Sequence, residues 1–247
     1  MYRDILRDKK ERTGWTTEEL SKRSGVPVGT INKILSGETT SPRYDTMEAL
    51  DKAFRDDMTM MLRESSLYGE NDDKRLYTLD DYYCLPGDIR AELIDGRFFY
   101  MQSPTAAHQN IIGELYFAIR LFIKENNGMC QPFMAPLDVQ LDCDDKTMVQ
   151  PDFMIICDRE KIREDRIYGA PDFVAEVLSP TTRKQDTDVK LLKYRNAGVR
   201  EYWIADLDKE RIICYFFEED GLMPNIYTFQ NEVPVRIYDG QVTISLE

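Results

Sequence analysis

The chain has 247 residues and a net charge of −13, with 42% hydrophobic and 31% charged residues. This composition is typical of a globular protein with one large or two modest domains, and it excludes disordered and collagen-like chains. No apolar run approaches the roughly 18 residues of a membrane span, and the charged start MYRDILRDKKER is unlike a signal peptide. Five scattered cysteines without a CxxC pair are typical of free thiols in a reducing cytoplasm and not of a zinc site.

The charge is unevenly distributed along the chain. Residues 1–66 carry twelve basic and twelve acidic side chains, so the whole net charge of −13 falls on residues 67–247. A neutral N-terminal part joined to a strongly acidic remainder indicates two domains. We predict a helical domain over 1–62, a polar linker over 63–76 and a second domain over 77–247.

The first domain is predicted to be all helix, because apolar residues recur at helical spacing without an alternating strand pattern. Thr16 and Glu19 form a capping box for one short helix, and Gly25 suits the turn that follows it. A second short helix over residues 28–35 is predicted to end before Gly37. Two short helices joined by a glycine-containing turn predict a helix-turn-helix unit.

The segment from Gly14 to Gly37, GWTTEELSKRSGVPVGTINKILSG, resembles the phage-repressor-like helix-turn-helix family. In that family the second helix lies in the major groove of double-stranded DNA. The resemblance implies that Thr17 lies near a phosphate. It also implies that four residues face the groove, namely Val28, Gly29, Asn32 and Lys33. Val28 and Gly29 lack polar side chains for base edges, so direct readout is expected to be weak. A helical protein–protein module of the same shape remains the alternative.

From residue 77 the pattern changes to mixed helices and strands. The turn Asp95-Gly96 predicts a β-hairpin over 92–102, and a long amphipathic helix is predicted over 105–124. The remaining predicted elements are strands at 133–141, 149–157, 172–178, 200–206 and 210–217 and a polar helix at 184–197 that ends at Gly198. This order predicts an α/β domain with a central mixed sheet.

Two acidic residues lie in apolar strands, where burial of a charged carboxylate is energetically unfavourable. Asp152 begins one apolar strand and Glu176 lies within another, and a buried carboxylate must be paired, protonated or bound to a cation. If the two strands are neighbours, the carboxylates meet at one place, and oxygen ligands without histidine favour Mg²⁺ or Mn²⁺. The helix that follows offers Lys184, Lys190 and Lys193 as cations, and the face that Lys190 shares with Asp186 and Tyr194 could point a lysine at the pair. Glu92 could supply a further oxygen. The alternative is structural: Asp152 caps a strand end, and Glu176 forms a buried ion pair with Lys190.

The wider pattern of the second domain resembles the Uma2 family of restriction-endonuclease-like proteins, within the PD-(D/E)xK nuclease superfamily. The resemblance covers about residues 77–218 and rests on ELIDG (92–96), SP (103–104), His108, PLDV (136–139), QPD (150–152), GAPDFVAEVLSP (169–180), Asp186, Lys190, Tyr194 and AGVREYWI (197–204). It implies a restriction-endonuclease-like fold and Mg²⁺-dependent cleavage of DNA.

The resemblance also implies roles for individual residues. Asp152 and Glu176 would hold the metal, with the Val177 carbonyl as a further ligand and Glu92 supporting the metal shell. The superfamily has a lysine two places after the second acid, but this chain has Leu178 there. The resemblance therefore implies that Lys190 takes that place and orients or activates the attacking water.

Three hypotheses of function follow. The first is a cytoplasmic DNA endonuclease, directed to its substrate by the helix-turn-helix and acting as a homodimer, since such readers commonly bind in pairs. The second is an inactive nuclease fold that serves dimerisation or ligand sensing in a transcriptional regulator, because an acidic domain repels DNA. The third is a protein–protein adaptor. His108 is expected to be a structural or supporting group on its helix and not a general base.

Overall fold

The computed structural model describes residues 2–54, 76–87, 89–179, 183, 185–219 and 222–246. The chain divides into two compact units, of which the first comprises Met1–Lys74 and Tyr83–Ile89 and the second Arg75–Tyr82 and Arg90–Glu247. The predicted end of the helical domain at residue 62 and nearly all of the predicted linker lie outside the described residues. These domain boundaries therefore stay predictions.

The described part of the first unit contains the helices α1 Tyr2–Thr13, α2 Thr17–Ser24, α3 Val28–Ser36 and α4 at residues 44–54. The Thr16 side chain accepts a hydrogen bond from the backbone N–H of Glu19 and so caps α2, as the capping box predicts. The helices share one apolar core, to which α2 contributes Leu20 and α3 contributes Ile31 and Ile34. The predicted helix-turn-helix is confirmed by this arrangement.

The helices of the second unit are α5 Leu79–Tyr83, α6 Ala106–Glu125, a π-helix at Gln185–Lys190 and α7 Leu191–Ala197. Its strands are β1 Ala91–Ile94, β2 Arg97–Tyr100, β3 Gln131–Met134, β4 Val139–Gln140, β5 Phe153–Ile156, β6 Ile167–Tyr168, β7 Phe173–Val177, β8 Glu201–Asp206, β9 Arg211–Phe216, β10 Asn225–Thr228, β11 Val233–Pro234 and β12 Thr243–Ile244. No helix in the described part of the chain has the length and apolar character to cross a bilayer.

Six of these strands form one sheet in the order β10-β9-β8-β7-β5-β3. β7 and β8 run parallel, and the other neighbouring pairs run antiparallel. α6 packs across β3, β5 and β7, and residues of α7 pack into a second apolar core with residues of β5, β7 and β8. The predicted α/β domain with a central mixed sheet is confirmed.

Turn and capping residues in the sequence mark where several helices and strands begin or end. The hairpin of β1 and β2 turns at Asp95 and Gly96, whose φ angles of 50° and 75° match the turn that favours this dipeptide. Thr105 caps α6 by accepting a hydrogen bond from the backbone N–H of His108. The predicted strand 133–141 is wrong in its middle, because Pro136 has no N–H to donate and the chain forms the separate strands β3 and β4.

The expectation of five free thiols is also wrong. Cys130 and Cys157 form a disulfide, because the antiparallel register of β3 and β5 pairs Gln131 with Ile156 and brings the next residues face to face. A sequence separation of 27 residues gives no hint of this contact. The cysteine pattern therefore does not support the predicted cytoplasmic location, which stays a prediction.

Candidate active site

Asp152 and Glu176 lie opposite each other at the ends of two neighbouring strands. The antiparallel register of β5 and β7 pairs Phe153 with Ala175, so Asp152 and Glu176 are the next pair along the ladder. The backbone N–H of Asp152 donates to Oε2 of Glu176 at 3.3 Å. In return, the backbone N–H of Val177 donates to Oδ2 of Asp152 at 2.9 Å. The two carboxylates thus share one end of the ladder.

The strand pattern also sets the face on which Glu176 lies. Side chains alternate between the two faces of a strand. Ala175 and Val177 belong to the core under α6, whereas Val174 and Leu178 belong to the core on the opposite face. Glu176 therefore points to the face that α7 covers, where it is 3% exposed.

Lys190 is surrounded by three buried carboxylates. Its Nζ lies 2.8 Å from Oε1 of Glu176 and 2.8 Å from Oε2 of Glu92. A third carboxylate oxygen, Oδ1 of Asp186, lies at 3.5 Å. Two of these carboxylates are within hydrogen-bond distance of the ammonium, and the third is an ion-pair neighbour. The buried ion pair of Glu176 and Lys190, expected as the structural alternative, is thus present in the fold.

The π-helix determines which side chains reach this cluster. Gln185 and Lys190 both contact Oε2 of Glu92, with the Gln185 Nε2 donating at 2.7 Å. Residues five apart do not share a face of an α-helix, but the wider turn of a π-helix hydrogen-bonds over that spacing. Tyr194 follows in α7 and donates to Oε1 of Glu176 at 2.8 Å. Gln185 is not predicted from the sequence as a member of the cluster, because the i, i+4 spacing used there assumes a regular α-helix.

The electrostatics of the cluster favour added positive charge. Burial raises the pKa of Glu176 well above its ordinary value, and the charges of Asp152, Asp186 and Glu92 raise it further, against the attraction of Lys190. Burial alone would lower the pKa of Lys190, but the surrounding carboxylates hold it well above its ordinary value. Lys190 thus keeps its proton, and the raised pKa of Glu176 means that its ionised form would be favoured by further positive charge.

A second network holds Glu92 from the opposite side. The backbone N–H of Gln150 donates to Oε1 of Glu92 at 2.8 Å. The Gln150 side chain donates to Oδ1 of Asp138 at 2.8 Å and to the Tyr82 hydroxyl at 3.1 Å. With Nε2 so engaged, Oε1 of Gln150 faces Nη2 of the exposed Arg90 at 3.4 Å. None of these supporting contacts had been predicted from the sequence.

His108 contacts the site through Asp152. It lies in the first turn of α6, and its Nε2 is 3.0 Å from Oδ2 of Asp152. The other ring nitrogen, Nδ1, is buried and has no hydrogen-bond partner among the described residues. The expectation that His108 supports the site from its helix agrees with this geometry.

The donor set for a metal is small. Among the described residues, no group of three or more His, Cys, Asp or Glu side chains forms a metal-binding cluster. The predicted ligands are two carboxylates, those of Asp152 and Glu176, together with a main-chain carbonyl. These donors are all oxygens at one end of the β5–β7 ladder, and they lie near acids that outnumber the buried ammonium of Lys190. Such a set fits a hard divalent ion that keeps several waters.

The predicted DNA-reading residues lie in the first unit. Gly29, Asn32 and Lys33 are exposed on α3, whereas Thr17 and Val28 are half-buried at the starts of α2 and α3. The Lys33 ammonium lies 3.3 Å from Oε1 of the exposed Glu38, so its charge is partly neutralised.

The fold and the acidic cluster define a protein that joins a helix-turn-helix unit to a nuclease-like α/β domain. The family model of Uma2, described as "Putative restriction endonuclease", matches residues 79–245, and the chain therefore belongs to the Uma2 family. A second family model, described as "Helix-turn-helix domain", matches residues 3–57. These matches confirm both resemblances drawn from the sequence.

Solved structures similar to this chain include one from Anabaena variabilis ATCC 29413, whose title calls it "a putative nuclease belonging to DUF820". The TM-score is 0.57 at 21% sequence identity, and the match covers 68% of this chain and 94% of that one. At this identity the likeness concerns the fold alone. A comparison with curated proteins finds no match.

Proposed function

We propose that this protein is a DNA endonuclease in which Asp152 and Glu176 bind Mg²⁺ or Mn²⁺ for hydrolysis of phosphodiester bonds. The observation that carries the proposal is the pair of acids at one end of the ladder, Asp152 just before β5 and Glu176 in β7, each hydrogen-bonded to the other strand's backbone, with an ammonium buried against Glu176. Membership of the Uma2 family and the helix-turn-helix match support the same reading.

A bound divalent ion at this place would polarise a phosphoryl oxygen and supply an activated water. Asp152 and Glu176 would hold the ion, with the Val177 carbonyl as a further ligand. Lys190 is buried and protonated, so it has no lone pair with which to accept a proton from water. Its proposed role is narrower than the one expected from the sequence: it holds the carboxylates of Glu176 and Glu92 in place.

The first unit would bring the site to double-stranded DNA, with the predicted contacts on α2 and α3. Residues 67–247, which include the second domain, carry the net charge of −13 and so repel phosphates, which leaves most of the affinity to the helix-turn-helix. Among the described residues near the site, Arg90 is an exposed cation whose contact there is a neutral amide. We propose Arg90 as a contact for the DNA backbone, and a homodimer as the form that reads two half-sites.

The test is cleavage of supercoiled plasmid with Mg²⁺ or Mn²⁺ by the wild type, by Asp152→Asn and by Asp165→Asn. Asp165 is an exposed acid that pairs with Arg166, so its substitution is the matched control. We expect cleavage by the wild type and by the control, and its loss in Asp152→Asn. Equal cleavage by all three proteins would reject the assignment.

One observation favours a second candidate function, a catalytically inactive nuclease fold within a DNA-binding regulator. The Lys190 ammonium lies within 2.8 Å of the carboxylates of Glu92 and Glu176, so the cluster already has the contacts of a buried structural ion pair. In that case we expect duplex DNA to be bound equally well with EDTA or Mn²⁺, and to remain uncut in both. Metal-dependent cleavage that Asp152→Asn abolishes would exclude this candidate.

A further inference from the structure

We infer that His108 is a positioning residue, whose Nε2–H fixes the orientation of the Asp152 carboxylate and so presents its second oxygen to the metal. The inference rests on the proposed function, since it concerns the same metal site. It adds a residue from α6, an element that contributes none of the predicted ligands.

The contacts of Asp152 show how its carboxylate is held. Oδ2 accepts from the backbone N–H of Val177 at 2.9 Å and lies 3.0 Å from Nε2 of His108. The two donors come from β7 and α6, so they approach one oxygen from two elements. Both contacts involve Oδ2, and the carboxylate therefore has one oxygen fixed by the protein and the other, Oδ1, available to a cation.

The backbone at His108 is held by the cap of α6. Its backbone N–H donates to Oγ1 of Thr105 at 3.2 Å, which places it in the capped first turn of α6. Nδ1 is buried without a partner among the described residues. Oδ2 of the Asp152 carboxylate can only accept, so the contact assigns an N–H to Nε2, and a proton on Nδ1 would be an unsatisfied buried donor. The ring then donates to Asp152 through Nε2.

A pair of substitutions separates this donor from the bulk of the ring. In glutamine the side-chain nitrogen is as many bonds from Cβ as Nε2 is in histidine, so His108→Gln can place an N–H near Oδ2 of Asp152. In asparagine the nitrogen is one bond closer, so His108→Asn is polar but cannot reach. A merely structural role for the ring would not distinguish the two variants by their metal affinity.

The first experiment is calorimetric titration of the full chain with Mn²⁺ at fixed pH, on protein without a polyhistidine tag. Hydrogen-bond partners of metal ligands typically contribute about 10- to 100-fold in affinity, so we expect a loss of this size in His108→Asn. We expect His108→Gln to stay within a few-fold of the wild type. Asp152→Asn gives the reference for a lost site.

The outcomes separate the inference from the proposed function. If the wild type and Asp152→Asn bind Mn²⁺ equally, the metal site and the inference both fail. If Asp152→Asn loses binding but His108→Asn retains it, the inference alone is overturned. Equal weakening in His108→Gln and His108→Asn also overturns it, because the donor at the Nε2 position is then not the feature that matters.

A second measurement follows His108 in the wild type, so it does not depend on whether a variant of this residue folds. The chain has one histidine, so a two-bond ¹H–¹⁵N correlation spectrum of the wild type reports this ring without assignment. We expect the Nε2–H tautomer, and a shift of its signals on adding Mg²⁺ that is absent in Asp152→Asn. An Nδ1–H tautomer, or signals that do not move when the wild type binds Mg²⁺, would overturn the inference.

Discussion

The Lys190 ammonium and the Glu176 carboxylate lie 2.8 Å apart in the interior, where the two side chains are each 4% exposed. Neither charge can be removed without leaving the other in a place that water does not reach. Removal of one partner of a buried ion pair typically costs about 3–5 kcal/mol, because an uncompensated buried charge remains. This dependence gives a prediction about stability that does not require any catalytic activity.

Lys190→Met is expected to lower the free energy of unfolding of the second unit by about 3–5 kcal/mol. Guanidinium unfolding followed by tryptophan fluorescence measures this change in a Trp15→Phe background, which leaves Trp203 as the reporter. Lys193→Met, in the helix α7 that directly follows, is the matched control. Its partners Asp95 and Asp142 are 67% and 25% exposed, so water can solvate them and a smaller loss is expected. Equal losses would contradict the prediction.

Metal is expected to stabilise the second unit, because an ion that binds the folded state alone shifts the unfolding equilibrium. At a Mn²⁺ concentration of one hundred times Kd the gain is about 2.7 kcal/mol. Thermal unfolding with Mn²⁺ and with EDTA measures the difference, with Asp152→Asn as the variant in which it should vanish. The same upward shift in Asp152→Asn would show that Mn²⁺ binds elsewhere.

The raised pKa of Glu176 predicts a pH dependence of stability. Because burial and neighbouring acids raise its pKa in the folded state, its contribution is fully present below the unfolded value of 4.5 and is lost as the pH rises through the folded value. Glu176→Gln cannot titrate at this position. We therefore expect the free energy of unfolding of the metal-free wild type, relative to Glu176→Gln, to fall as the pH rises above 4.5.

Denaturant unfolding of both proteins across a pH series in EDTA measures this difference. Other carboxylates titrate in both proteins, so comparison of the two removes their contributions. A difference that stays constant with pH, or that grows in favour of the wild type, would contradict the predicted direction. Because a metal needs the deprotonated acid, the affinity for Mn²⁺ is expected to rise over the same range of pH.

The helix-turn-helix is expected to provide the salt-dependent part of DNA binding. Lys33→Ala should weaken binding to random-sequence duplexes and reduce the salt slope by about one, as for the loss of one phosphate contact. Lys209→Ala is the control, since Lys209 is an exposed lysine of the acidic domain. Fluorescence anisotropy over a range of salt concentrations measures both. An unchanged slope in Lys33→Ala would remove this residue from the DNA interface.

The sequence predicted those features that depend on local chemistry. The cap at Thr16 and the Asp95-Gly96 turn follow from residues that satisfy or bend the nearby backbone. The sequence also predicts that Asp152 and Glu176 meet. Each is an acid in an apolar strand, and two neighbouring strands would bring both side chains to one place.

Contacts between distant segments could not be predicted in the same way. His108 reaches Asp152 across 44 residues, and this contact depends on how α6 packs on the sheet. The disulfide between Cys130 and Cys157 depends on the register of β3 and β5. Gln185 lies at the cluster only because the helix is widened there, and helical periodicity assumes a regular turn.

The widened turn at Gln185–Lys190 makes the length of this segment as important as its residues. A π-helical turn contains one more residue than the α-helical turn it replaces. Deletion of the exposed Val189 would let an ordinary α-helix form, and every acid of the cluster and Lys190 would still be present in the chain. The deletion would, however, rotate Gln185 and Asp186 relative to Lys190 by about 100° around the helix axis. A relative that keeps all these side chains but lacks one residue here would thus lack the cluster itself.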